Sequence, residues 1–129
     1  MNRPTVYVFM NKSLNMSAGK LAAQAAHAVT YLWTSRIRDL DDFTTPPFQT
    51  MMVMQARNQE HLTAIRYYLK KRDIETIAVV DEGANETDPQ VVTAVATQVV
   101  DKDIDMIKDI FGTFELYRDT IRFKVEVDR

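Results

Sequence analysis

The stretch that decides the fold is Asn15-Met-Ser-Ala-Gly-Lys-Leu-Ala-Ala-Gln-Ala-Ala-His-Ala-Val-Thr-Tyr-Leu-Trp33. It reads as a loop running into a long helix rich in small residues. Ser17 suits the N-cap, because its hydroxyl can accept from a backbone N–H of the first turn. Leu21, Ala25, Ala28, Val29 and Leu32 recur at helical spacing and predict the buried face. Lys20, Gln24, His27 and Tyr31 form a second, polar stripe, since steps of four, seven and eleven return to nearly the same side of a helix. Lys20 falls in the first turn, where free N–H groups and the helix dipole already favour an anion. Alanines at 22, 23, 25, 26 and 28 let the helix approach its neighbours closely. On pattern alone the stripe is either a solvated face or one wall of a binding site.

Working outward, Thr5-Val-Tyr-Val-Phe-Met10 is a near-continuous apolar run, as expected of a central strand covered on both faces. A short loop, Asn11 to Met16, joins it to the helix. Strand, loop and helix with a polar first turn open an α/β unit, whose ligands sit at the carboxyl ends of strands. The helix is expected to fade near Arg38, before Asp39 to Phe48, which carries Thr-Thr-Pro-Pro and reads as a loop. Gln49 to Ala56 predicts a second strand with Met51, Met52 and Met54 as core fillers. Asn58 caps a helix to about Arg72, with Leu62, Ile65 and Leu69 buried. Arg66, Lys70, Lys71 and Arg72 make its end basic, which the helix dipole alone explains and a phosphate-contacting patch would also explain. His61, in its first turn, reads as a surface histidine.

Ile74 to Val80 predicts a third strand ending at Asp81, and Val91 to Val100 a fourth. The polar loop between them has no helix, so the two pair as antiparallel neighbours. Asp101 or Asp103 would cap a third helix through Ile104, Ile107, Ile110 and Phe111, stopping at Gly112. Ile121, Phe123, Val125 and Val127 alternate with charged residues, as in a half-buried edge strand. The order β-α-β-α-β-β-α-β predicts one domain over 1–129. It is a three-layer α/β/α fold with a mixed, mostly parallel sheet of four strands plus a C-terminal edge strand.

Composition narrows the function. The chain has 129 residues, 46% of them hydrophobic, which suits one globular core. It has no cysteine, which excludes disulfides, thiol nucleophiles and thiolate metal sites. With two histidines, no metal site or cofactor is expected. No run is long enough to cross a bilayer, and Met1-Asn2-Arg3-Pro4 leads directly into a strand. A cytoplasmic protein with no membrane partner is the expectation. Net charge is −2, and dedicated nucleic-acid binders are more often basic, so composition argues mildly against a nucleic-acid partner while leaving room for a local basic face.

Asp81 closes an apolar strand and precedes a Gly-containing loop. That is where an α/β fold places a catalytic carboxylate, and equally where an Asp starts a turn. Thr93, near the start of the next strand, lies close to Asp81 across the hairpin. There is no Gly-rich phosphate loop, no nucleophile elbow and no zinc spacing. The reactive inventory is a Lys, a His, an Asp and a Thr. Such a set can hydrolyse an ester without a covalent intermediate: a carboxylate or imidazole activates water, and a lysine stabilises the oxyanion or binds a nearby phosphate.

Met16-Ser17-Ala18-Gly19-Lys20-Leu21-Ala22-Ala23-Gln24-Ala25-Ala26-His27-Ala28 resembles the signature of the type 2 peptidyl-tRNA hydrolases, in which a Gly-Lys-(Ile/Leu)-Ala-Ala-Gln-x-x-His-Ala helix follows the first strand. The resemblance runs from Val6 to about Tyr117 and includes the Asp-x-Gly of Asp81 to Gly83 and the threonine at Thr93. It implies metal-independent hydrolysis of the ester between a peptide and the 3′ ribose of tRNA, with peptidyl-tRNA as partner and no cofactor. Carried over residue by residue, it assigns catalysis to Lys20 and Asp81, with Thr93 beside them and His27 in the helix signature. It assigns substrate contacts to Asn11, Gly19, Gln24 and Gly83. Members of that family are often homodimers.

The chain also departs from the family pattern. Asn11-Lys12-Ser13-Leu14 stands where Arg-Thr-Asp-Leu is usual, and Glu82-Gly83-Ala84-Asn85-Glu86 where Ala-Gly-Arg-Thr-Gln is usual. Gln98-Val99 replaces a Gly-Pro. The loop after Asp81 has therefore lost an arginine and gained Glu82 and Glu86. Carboxylates there repel phosphate and raise the proton affinity of the aspartate. Two other readings stay open: a catalytically silent homologue that binds RNA or a protein, and a small-molecule hydrolase that reuses the pocket.

Overall fold

The structure, a computed structural model, describes residues 3–35, 50–81 and 90–118. Strand β1 spans Pro4–Asn11 and is buried along its whole length. Its alternating side chains feed two separate cores. Val6, Val8 and Met10 face helix α1 (Ala18–Ser35), which seats Ala25, Ala28 and Leu32 on them. Tyr7 and Phe9 face the opposite way, toward α2 (Gln59–Lys70) and α3 (Asp105–Phe111). A strand with helices on both faces needs apolar residues at every position, which is why its sequence runs unbroken instead of alternating.

The expected α/β class and three layers are present, but the sheet differs in count and direction. Among the described residues it has six strands: β1, β2 (Thr50–Ala56), β3 (Thr76–Asp81), β4 (Val91–Thr97), β5 (Val100–Asp101) and β6 (Glu115–Leu116). The order is β3-β4-β1-β2-β6, with β5 also on β1. Among the described residues only β1 and β2 pair in parallel, joined by the α1 crossover. The pairs β1–β4, β1–β5, β2–β6 and β3–β4 are all antiparallel, so the sheet is not mostly parallel as expected. The cause is the position of β4. Strands β1, β2 and β3 do run in one direction, but the β3–β4 hairpin inserts β4 between β3 and β1 and makes both of those ladders antiparallel. One end of the sheet therefore gathers the carboxyl ends of β1, β2 and β3 and the amino end of β4.

Local corrections follow from side-chain hydrogen bonds. The fourth strand does not continue to Val100. Gln98 turns out of it and closes the start of β3, with its N–H on Glu75 O at 2.9 Å and its Oε1 accepting Glu75 N–H at 2.8 Å. Helix α3 has Ile104 at its N-cap with no side-chain cap, in place of Asp101 or Asp103. Asp101 Oδ1 instead accepts from the N–H groups of Arg3 and Asp103, tying the start of β1 to the turn before α3. Asn58 does cap α2, accepting His61 N–H at 2.9 Å, and α2 ends at Lys70, two residues short of Arg72. Met10 and Met54 are buried as expected, whereas Met51 is 45% exposed. The α1 end near Arg38, the loop 39–48 and the strand 121–127 lie outside the described residues.

Candidate active site

Lys20, Asp81 and Thr93 come together at the carboxyl end of the sheet, in a cleft of about 340 Å³. Each arrives from a different element, for a local reason. Lys20 is carried by the first turn of α1, which Ser17 starts: Ser17 Oγ accepts Lys20 N–H at 3.3 Å. Asp81 is the last residue of β3. Thr93 is placed by a β-bulge, since Val79 pairs with Ala94 but Val80 pairs with Val92, leaving Thr93 as the extra residue on β4. Bulges re-aim side chains, and this one points Thr93 at the cleft while holding it buried.

Lys20 Nζ lies 3.8 Å from Asp81 Oδ2, with side-chain exposures of 56% and 39%. An ion pair this open to water adds at most about 1 kcal/mol to stability, so packing does not explain why it is there. Thr93 Oγ1 donates to Val79 O at 3.3 Å. Its hydroxyl is thus anchored on the bulge, with its acceptor capacity unspent on that bond. No acidic residue occupies the first turn of α1. The helix dipole and the first-turn N–H groups therefore add positive potential to that of Lys20.

The remaining expected residues do not share one place. Asn11 is buried at the end of β1, and its amide is fully engaged: Nδ2 donates to Val92 O at 2.8 Å, and Oδ1 accepts from Ser13 N–H and Ser13 Oγ. It braces β1 against β4 and starts the 3-10 turn Lys12–Leu14. Gly19 precedes Lys20 in the first turn of α1 but does not line the cleft, and a Cβ added there would meet no atom within 4 Å. Gln24 is half-buried one turn beyond Lys20. His27 is not brought to the cleft. It is exposed, about 10 Å along the α1 axis from Lys20, with Tyr31 as its ring neighbour at 6.2 Å. Gly83 lies outside the described residues.

Leu14, Asn15, Met16, Ser17 and Val91 also line the cleft, and the sequence reading missed them as site residues. Asn15 has φ 47°, in the left-handed region, and turns the chain from the 3-10 helix toward α1. Asn tolerates that conformation better than most residues, so Asn15 was the available signal. On the other side of Met16 a second groove of about 420 Å³ runs between α1 and β2, over Ala22, Ala25, Met51, Val53 and Tyr117. The alanines of α1 are what leave it open.

His61 is half-buried and not simply a surface residue. Its Nδ1 accepts Arg57 N–H at 2.9 Å, and burial, with Arg57 nearby, holds its pKa below the ordinary 6.5 while Glu115 pulls the other way. Beside it, Gln55 accepts from Lys12 Nζ and Arg118 N–H and donates to Glu115. That network ties β6 to β2.

Chemically, the cleft offers a carboxylate to take a proton from water, an ammonium within reach of a developing oxyanion or a phosphate, and a threonine hydroxyl in the same lining. Among the described residues, no group of three or more His, Asp or Glu is arranged to hold a metal ion, and no helix is long and apolar enough to cross a membrane. Comparison with protein families matches residues 5–117 to peptidyl-tRNA hydrolase PTH2. No curated protein matches the chain.

Proposed function

Because the chain belongs to the peptidyl-tRNA hydrolase PTH2 family, which covers residues 5–117 of it, we propose that it hydrolyses the ester linking a peptide to the 3′ ribose of tRNA. The observation that carries this reading is the meeting of Lys20, Asp81 and Thr93 in one cleft. Asp81 accepts a proton from water as the water oxygen bonds to the ester carbonyl carbon. Lys20 and the first-turn N–H groups of α1 stabilise the charge that develops on the carbonyl oxygen, or hold the adjacent phosphate. The bond from carbon to the ribose oxygen then breaks, and the proton held by Asp81 passes to that oxygen. The products are a free peptide carboxylate and an intact tRNA. Thr93 positions Asp81 or the ribose by hydrogen bond, and Gly19 leaves the helix N-terminus open to a close approach. Gln24, one turn further along α1, contacts the substrate beyond the reacting ester; His27, which the resemblance assigned to catalysis, lies too far along α1 to act at the ester and takes no part in the step.

A second reading rests on Glu82 and Glu86, which follow Asp81 directly in sequence. Their charge opposes phosphate binding, as expected of a homologue that keeps the cleft but no longer turns over. Hydrolysis of an N-blocked aminoacyl-tRNA by wild type and Lys20→Ala protein separates the two. Turnover by wild type that falls about 100-fold or more in Lys20→Ala supports the esterase. A folded wild-type protein that binds tRNA without cleaving it supports the silent homologue.

A further inference from the structure

The α2–β3 corner, at the opposite end of β3 from the cleft, carries a charge pattern that the cleft does not use. Arg66, Lys70, Lys71 and Arg72 are four of the chain's sixteen Lys and Arg, on a protein of net charge −2. They are stacked at helical spacing into three i, i+4 pairs: Arg66 with Lys70, Tyr67 with Lys71, and Tyr68 with Arg72. The Lys71 ammonium sits 4.6 Å from the centre of the Tyr67 ring, and the Arg72 guanidinium 3.5 Å from that of Tyr68. Arg66 Nε donates to Thr76 Oγ1 at 3.0 Å, fixing the guanidinium against the start of β3. Between α2 and β3 lies an open recess of about 650 Å³, with Arg66, Tyr67 and Lys70 on the α2 wall and Asp73 and Glu75 across from them.

The helix dipole accounts for cations in the last turn of α2. It does not account for Arg66, one turn earlier, nor for Tyr67, a large aromatic left 61% exposed. A like-charge pair at i, i+4 also destabilises a helix by a few tenths of a kcal/mol. Cations in a row, one of them over a face of an exposed ring, suit a polyanion with flat bases: phosphates answer the ammonium and guanidinium groups, and a base stacks on the ring face opposite Lys71.

We propose that this corner is a second RNA-binding surface, which grips the tRNA backbone through Arg66, Lys70 and Lys71 and offers Tyr67 to a base. The proposal rests on the reading that the substrate is a tRNA ester. Thr76 and Asp81 are five residues apart along β3, about 17 Å. The corner therefore meets nucleotides well removed from the ester and acts on affinity, not on the chemical step.

The test is binding of deacylated tRNA over a series of NaCl concentrations, by wild type, the triple variant Arg66→Gln/Lys70→Gln/Lys71→Gln, and Tyr67→Ala. The triple variant is expected to bind about tenfold or more weakly, with a log K against log salt slope shallower by about 2 to 3. Tyr67→Ala is expected to bind several-fold more weakly at an unchanged slope, since stacking carries no counterions. On N-blocked aminoacyl-tRNA the triple variant should raise KM and leave kcat unchanged, and on an N-blocked aminoacyl-adenosine, too short to reach the corner, it should match wild type. Wild-type affinity and slope in a triple variant that melts like wild type would overturn the proposal, as would equal competition by polyglutamate, which would make the corner an acidic-peptide site. Binding that depends on the corner in a protein that cleaves neither substrate would leave this proposal standing and remove the hydrolase reading alone.

Discussion

The two faces of the sheet are built from different materials. The α2/α3 face is aromatic: Tyr7 stacks on Phe111 at 3.8 Å, and Phe9 meets Phe114 edge-on at 5.1 Å. The α1 face is aliphatic, with Ala25, Ala28, Ala94 and Ala96 set among valines, Met10 and Leu32. Large rings supply burial energy and tolerate some freedom in where a helix sits. Small side chains supply less energy per residue but let the helix lie close against the sheet, so their size sets the distance between the two. That distance places Lys20 against Asp81. One face mainly stabilises the domain, and the other sets the geometry of the cleft.

This division can be broken from either side. Phe111→Ala removes a buried ring from the aromatic face and should cost about 3–5 kcal/mol in chemical denaturation. The remaining folded protein should keep its turnover per molecule. Ala28→Leu, at a position with no exposure, should cost about 1–3 kcal/mol by overpacking. Because it lifts α1, its turnover should fall by more than its folded fraction does. If both variants lose stability and activity in the same proportion, the division of labour is wrong.

Two smaller effects sharpen the picture on the α2 side. Asp73 has φ 63°, in the left-handed turn that ends α2, where Ile74 N–H reaches Leu69 O at 3.0 Å and Asp73 N–H reaches Lys70 O at 3.0 Å. Glycine adopts that conformation without strain and alanine does not, so Asp73→Ala should be less stable than Asp73→Gly by about 1 kcal/mol in a urea titration. His61 gives the smallest effect. Its folded pKa lies below the ordinary 6.5 because of burial and Arg57. As pH falls through 6.5 the unfolded chain takes up a proton before the folded chain does, so stability declines until the pH passes the folded value. Above pH 6.5 this contribution is present in full. His61→Gln should flatten that part of the stability–pH curve while leaving the rest unchanged.

How much of this was legible in the sequence depends on how local each signal is. The unbroken apolar run of β1, the α1 stripes, the cap at Asn58 and the β3–β4 hairpin are encoded by neighbours in the chain, and they appear as read. The place of β4 between β3 and β1 is a non-local pairing, and no periodicity announces it. Strand β6 spans only Glu115–Leu116, too short to leave a pattern. In the cleft, Lys20 and Asp81 were legible from their positions at a helix start and a strand end. Thr93 was legible as a neighbour across the hairpin, but the bulge that turns it inward was not, because a one-residue register shift has no composition of its own. His27 shares a stripe with Lys20, yet a shared helix face still leaves about 10 Å between them. Asn11 was assigned a substrate contact by the family resemblance, while its amide is engaged in bracing β4 and starting a turn.

The most direct test of the account is single-turnover cleavage of an N-blocked aminoacyl-tRNA, with chelator present, by wild type beside Asp81→Asn. The account predicts cleavage by wild type, unaffected by chelator, and a rate about 100-fold or more lower in a variant that melts within about 1 kcal/mol of wild type. Equal rates in the two proteins, or no cleavage by folded wild type, would contradict it.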